Sequence, residues 1–225
     1  MRPVLKTLLN NTLRARAIRA CGGSLPDYYF DFVNNRALIA GRDIGPISNT
    51  PSLTGTLDLT PSGHLVDGAD NGLIIPLTGV TYPLTMLLEC VRTTDSGGTE
   101  NVVRLDDGDA TDRVGFNVTN TDILRWTVTT ASVSQANIDA SGTLVLGQVN
   151  RAVGCTNTNR AQAARTNGTL GTEDTAVTLP ANPTRLVIGV DSAGAHTFTG
   201  YIRELAIVSN ITSTDGQLVA SALAA

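Results

Sequence analysis

Aromatic side chains are scarce in this sequence. Four Phe, four Tyr and one Trp make up 4% of its 225 residues, so Val, Leu, Ile and Ala must fill whatever core it builds. Lysine is nearly absent, Lys6 standing alone against 15 arginines. Glutamate is confined to Glu89, Glu100, Glu173 and Glu204, none two residues from another acid. The alternating-acid pattern that would set two carboxylates about a sugar bond is therefore missing, which disfavours a glycoside hydrolase. The two histidines, His64 and His196, lie beside loop residues, and no Gly-x-Ser-x-Gly elbow accompanies them, so a Ser-His-acid triad is not expected. Neither a P-loop nor a dinucleotide fingerprint occurs. The three cysteines, Cys21, Cys90 and Cys155, include no Cys-x-x-Cys pair, and no His-x3-His accompanies them, which excludes the usual zinc spacings. No apolar run approaches the roughly 20 residues that span a bilayer as a helix. The N-terminal stretch is a poor secretion signal, its arginines continuing to Arg19. The expectation is a non-catalytic protein made in the cytoplasm.

What is present favours β-structure. Hydrophobic residues reach 41%, Thr numbers 31, and the 22 Gly and 9 Pro are scattered as many tight turns require. The net charge of -4 is uneven: residues 1–26 carry five basic groups and no acid, leaving -9 on the rest. An acidic body lacks the basic footprint that nucleic-acid binding needs. In residues 3–20, Leu5, Leu8 and Leu9 keep i, i+3, i+4 spacing and Leu13 extends the stripe, while Arg14, Arg16 and Arg19 cluster toward the end. This predicts an amphipathic helical arm, stopped by Gly22-Gly23. A lone helix of that length is marginal in water, so it must dock: on its own domain, on another subunit, or on a membrane surface. The last is disfavoured, because large aromatic anchors are absent.

From residue 25 the pattern changes to short segments separated by Gly, Asn, Asp and Pro. Predicted strands cover residues 28–33, 57–59, 73–75, 84–92, 101–105, 113–119, 124–129, 144–146, 150–156, 176–179, 185–189 and 198–209. Asp95-Ser96-Gly97-Gly98 marks a hairpin turn, and residues 157–174 read as a polar connection. Strands at about ten-residue intervals predict an antiparallel two-sheet sandwich or barrel. The organisation expected is an arm over residues 1–24 and one sandwich over residues 25–225. Trp126, Tyr28 and Tyr29 are assigned to its core. Within residues 201–208, Tyr201, Arg203, Leu205 and Ile207 alternate with Ile202, Glu204, Ala206 and Val208, and either set can face inward.

Residues 183–189 (PTRLVIG), 198–208 (FTGYIRELAIV) and the turn Ser213-Thr214-Asp215-Gly216-Gln217-Leu218 together resemble the closing strands of concanavalin A-like and laminin-G-like jelly rolls. Residues 149–153 and Asn167-Gly168 look like that family's strand leading to an Asn-Gly hairpin. The resemblance spans roughly residues 70–223. It implies a jelly-roll fold, a glycan as one class of ligand, and a calcium ion at the rim. A second resemblance lies in Phe30-Asp31-Phe32-Val33-Asn34 followed by Ala40-Gly41-Arg42. It is similar to the opening of virion proteins of tailed bacteriophages that carry such sandwiches, and implies a particle protein.

Two sites stand out as candidates. The acidic loop offers Asp106, Asp107, Asp109 and Asp112 as calcium ligands, although its spacing is not that of an EF-hand and a solvated hairpin loop is the simpler reading. The arm offers Leu5, Leu8, Leu9, Leu13, Arg14, Arg16 and Arg19 for partner binding, with Cys21 as a candidate for an intermolecular disulfide. Cys90, inside the apolar run 84–91, reads as a buried thiol. Asn-x-Thr triplets at Asn117, Asn167 and Asn210 reflect composition rather than glycosylation. The leading expectation is a structural or decoration protein of a tailed-phage particle, anchored through the arm to other virion proteins and to copies of itself. The alternative is a carbohydrate-binding module that adsorbs to cell-surface glycans.

Overall fold

The computed structural model describes residues 26–67, 71–109, 111–165, 170–190 and 197–209. The predicted arm lies outside these residues, with Leu5, Leu8, Leu9, Leu13, Arg14, Arg16, Arg19 and Cys21. So do Asn167-Gly168, His196, and the C-terminal turn 213–218.

The described chain forms strands β1 (Tyr28–Asp31), β2 (Arg36–Ile39), β3 (Arg42–Gly45), β4 (Thr54–Gly55), β5 (Leu59–Thr60), β6 (Gly63–Val66), β7 (Leu73–Pro76) and β8 (Leu84–Arg92). It continues through β9 (Glu100–Asp106), β10 (Arg113–Val118), β11 (Ile123–Thr130), β12 (Val133–Thr143), β13 (Val149–Asn157), β14 (Arg160–Arg165), β15 (Arg185–Ile188) and β16 (Gly200–Ser209). A 3-10 turn covers Ile47–Asn49. One sheet has nine strands, ordered β14-β13-β8-β16-β1-β2-β3, with β6 also on β16 and β5 on β6. The other has seven, ordered β12-β11-β10-β9-β15-β7-β4. Neighbouring strands are antiparallel throughout both sheets. The all-β sandwich expected from the sequence is present.

The core lies between the sheets and is built from alternate residues of each strand. Trp126 of β11 is fully buried there, with the Phe116 ring edge-on to it at 4.8 Å between centroids. Its Nε1–H donates to Thr156 Oγ1 at 2.9 Å, satisfying its one polar atom. The facing strand makes room for the indole: a Cβ on Gly154 would stand 2.1 Å from the Trp126 ring. Every residue of β8 is buried, on both faces of its sheet. That explains why it reads as a continuous apolar run instead of an alternation. Cys90 belongs to this strand, and burial pushes its thiol up to about 12.

Several expectations are corrected. Tyr28 enters the core but Tyr29 does not: it joins Leu38, Leu87, Val153 and others on the opposite side of the nine-stranded sheet. Neither alternating set of residues 201–208 faces inward as a whole. A bulge between Ile202 and Glu204 shifts the parity, so Ile202, Leu205 and Ile207 are the core residues. Residues 144–146 and 176–179 are not strands, although Leu144 and Val177 are buried. Conversely, β2, β3, β4, β6, β12 and β14 are not among the strands predicted from the sequence. The polar connection expected over residues 157–174 contains β14, which pairs with β13 around Thr158-Asn159, Asn159 at φ 60°.

The first and last described strands are neighbours. Tyr28 stands opposite Ile207, and the Asp27 carboxylate accepts the Ser209 N–H at 2.5 Å.

Candidate functional site

The acidic loop spends three of its four candidate carboxylates, Asp106, Asp109 and Asp112, on the protein itself. Asp106, at the end of β9, is wholly buried between Arg104, whose Nε donates to it at 2.9 Å, and Arg185. Asp109 accepts from the Thr111 N–H at 2.6 Å and its hydroxyl at 2.7 Å, which holds its carboxyl below the usual carboxylate range. Asp112 accepts the Ala131 N–H at 3.2 Å, and Asp107 Oδ1 is buried without a hydrogen-bond partner. Among the described residues no three His, Cys, Asp or Glu side chains come together as a metal site.

Folding does create a carboxylate row that spacing in the sequence conceals. Asp31, Glu204 and Glu89 stand opposite one another on β1, β16 and β8, and Asp31 accepts the Asn34 N–H at 2.9 Å. Glu89, however, accepts from Arg151 at 2.5 Å and from Arg203 at 2.8 Å, and Glu204 accepts the Tyr29 hydroxyl at 3.1 Å. Glu100 is bound to Arg92 and Glu173 to Arg160. The Arg160 guanidinium holds the Glu173 carboxyl below the usual carboxylate range.

The outer face of the seven-stranded sheet is different. Its inward positions (Leu105, Val114, Phe116, Trp126, Val128, Ala136, Ile138) are apolar, so the alternation turns Asn101, Arg104, Gly115, Asn117, Arg125, Thr127, Asn137 and Asp139 outward. In register, Arg104, Gly115, Thr127 and Asn137 form one row across β9 to β12, and Asn117, Arg125 and Asp139 run parallel to it. Gly115 has no side chain to fill its place. A Cβ there would meet Val103 O at 2.2 Å and Arg104 Cα at 2.5 Å. The row therefore sinks into a hollow of about 160 Å³, lined by Asn101, Arg104, Arg113, Asn117, Thr127 and Asn137 among others. That is an order of magnitude more room than one water needs.

Two atoms of residues lining this hollow lack partners. Arg104 is 4% exposed, and its Nη2 is buried without a hydrogen-bond acceptor, while Asn117 Oδ1 is buried without a donor. Burial pulls the Arg104 guanidinium below its ordinary pKa against the opposing pull of Asp106. Leaving such groups unsatisfied costs about 1–3 kcal/mol each. The donor and the acceptor thus belong to residues that line one polar depression, beside the paired Arg125 and Asp139 (2.6 Å). None of these residues was singled out in the sequence except Asn117, and that as an incidental triplet. The available signals were an arginine within the apolar run Val102-Val103-Arg104-Leu105 and a glycine inside a strand.

No protein-family model matches the chain, and no curated protein matches it significantly. Solved structures do share its fold. Domain 4 of AbnA, a GH43 extracellular arabinanase from Geobacillus stearothermophilus, solved in complex with arabinotriose, superposes with a TM-score of 0.58 at 16% identity over 88% of this chain and 98% of that one. Trypanosoma rangeli sialidase gives 0.60 at 14% identity over 87% of this chain but 32% of its own, so the chain matches about a third of that protein. The CBM40 of the Ruminococcus gnavus IT-sialidase, bound to α2,3-sialyllactose, gives 0.50 at 12% identity over 62% and 81%. The resemblance to phage virion proteins drawn from residues 30–34 and 40–42 finds no support in these structures. What they establish for this chain is a jelly-roll β-sandwich like that of carbohydrate-binding modules.

Proposed function

We propose that this chain is a non-catalytic glycan-binding module whose ligand lies in the hollow on the outer face of the seven-stranded sheet. The observation that carries the reading is the pair of unspent polar atoms beside that hollow, Arg104 Nη2 and Asn117 Oδ1. A sugar hydroxyl both donates and accepts, so sugar hydroxyls can satisfy an amide oxygen and a guanidinium alike. Asn101, Thr127 and Asn137 add amide and hydroxyl groups around the same depression. Among the described residues that line the hollow the one aromatic is Phe116, which points into the core as Trp126 does. Recognition therefore rests on hydrogen bonds and shape, and the affinity expected is micromolar. The sandwiches of similar fold that were solved with arabinotriose and sialyllactose favour this reading over a particle-building role.

The test is a glycan array on the whole chain, followed by calorimetry with the best ligand. Asn117→Ala and Arg104→Met should each weaken binding by about tenfold or more, equivalent to about 1.4 kcal/mol, while circular dichroism stays that of a β-sandwich. A folded protein that binds no glycan, or variants that bind as the wild type does, would overturn the proposal.

A further inference from the structure

The two sheets differ sharply in their outer faces. On the nine-stranded sheet, Leu38, Tyr29, Ala206, Leu87, Val153 and Ala164 stand side by side in register on β2, β1, β16, β8, β13 and β14. Val208 and Cys155 extend this apolar band. All eight members come from the sheet itself, and all point away from the sandwich core. The free face of an antiparallel sheet is ordinarily polar and wet. Here Leu87 and Ala206 are 0% exposed, Val153 1%, and Tyr29 and Leu38 2%. Four side chains of this face, Tyr29, Arg151, Cys155 and Glu204, take part in interactions beyond those described above. The band is covered, and not by the facing sheet.

Two stretches of chain are available to cover it, residues 1–25 and 210–225, and both leave from this sheet. The first runs into Pro26 and β1, the second leaves from the end of β16, and both departures lie beside Tyr29 and Val208. Patterning separates them. The predicted helix over residues 3–20 would be about 27 Å long at 1.5 Å per residue, enough to cross six adjacent strands, whose five spacings make about 24 Å. The C-terminal stretch instead opens on the polar run Ser213-Thr214-Asp215-Gly216-Gln217. The arm also brings the stripe Leu5, Leu8, Leu9 and Leu13, which needs an apolar surface.

We infer that residues 1–25 lie across the outer face of the nine-stranded sheet and bury its apolar band. The arm is then part of its own domain, not a hook for a neighbouring subunit. This does not depend on the glycan reading, which concerns the opposite face. Two experiments on the full-length chain test it. In the first, single cysteines replace Leu5, Leu8, Leu9 or Leu13 in a Cys21→Ser background, leaving Cys155 in the band. Under mild oxidation at least one should form an intramolecular disulfide with Cys155, found by peptide mapping of the monomer. In the second, Leu8→Asp with Leu9→Asp should raise the fluorescence of an apolar dye several-fold and lower the melting temperature. Disulfides forming only between chains would put the arm of a second copy on the face and overturn the inference. No disulfide at any of the four positions, with unchanged dye binding and melting in the aspartate variant, would also overturn it. Dye binding that responds only to Leu218→Asp would assign the cover to the C-terminal tail instead.

Discussion

Trp126 shows how far single residues could be read. As the only tryptophan, in an alternating apolar segment, it was assigned to the core, and it lies there fully buried. What accommodates it was not legible, because the complement of a large ring is an absence. Gly154 sits inside β13 so that the indole can lie against the strand, and in the sequence it looks like a weak strand position. Gly154→Ala forces a methyl into the ring and should cost about 1–3 kcal/mol. Thr156→Val keeps the volume but strips the Trp126 Nε1–H of its acceptor, at about 1–3 kcal/mol. Urea unfolding followed by tryptophan fluorescence measures both, and a Gly154→Ala protein as stable as the wild type would contradict the packing described. Arg104 is the same lesson at the candidate site. Its burial and its unpaired nitrogen arise from strands remote in sequence, so no local pattern announces either.

At the level of elements, strands rich in Val, Leu and Ile were recognised and strands faced with alanine were not. β8, β13 and β16 carry large apolar residues and were found nearly whole. β12 turns Ala136, Ile138 and Ala140 inward, and β14 turns Ala161 and Ala163 inward; such small side chains give little alternation to detect. The same small side chains suit a core that must hold Trp126 and Phe116. Asp95-Ser96-Gly97-Gly98 is a turn as expected but closes no hairpin: it carries the chain from β8 in one sheet to β9 in the other, and the cross-link that holds it was not legible. Arg92, 1% exposed, bonds Glu100 through Nε at 3.1 Å and Nη2 at 2.8 Å, and also reaches Asp95 at 2.8 Å and Asp122. Arg92→Met leaves the Glu100 carboxylate buried without its counter-charge, at a cost of about 3–5 kcal/mol. Adding Glu100→Leu should recover most of that loss. Chemical denaturation of the single and double variants decides it: a double variant no more stable than Arg92→Met would show that the buried charge was not the source.

Over the whole molecule, one sheet carries a buried apolar band on its outer side and the other a polar hollow. Acid sensitivity is also set by the fold. His64 is 0% exposed; its Nε2 contacts the Asn71 carbonyl at 3.0 Å and its Nδ1 accepts the Asp58 N–H at 3.3 Å. That arrangement fits the neutral ring, and burial lowers its pKa below 6.5 despite those bonds. The unfolded chain therefore takes up a proton more readily than the folded one. The stability this confers is fully present above about pH 6.5 and is lost as pH falls below it. Between about pH 7.5 and about pH 5 the melting temperature of the wild type should fall more than that of His64→Gln. Equal falls would show that His64 does not titrate against the fold.

The neighbouring first and last strands have a mechanical consequence. Because Tyr28 faces Ile207 in antiparallel register and Asp27 is bonded to Ser209, chain enters and leaves the sandwich at the same end of one strand pair. Tension applied through those two points would load the bonds between β1 and β16 one after another, as a zipper is opened, and not all together in shear. The sandwich is poorly placed to transmit pull along its own chain. It is well placed to hang from one point, with chain entry and exit at one end of the β1–β16 pair.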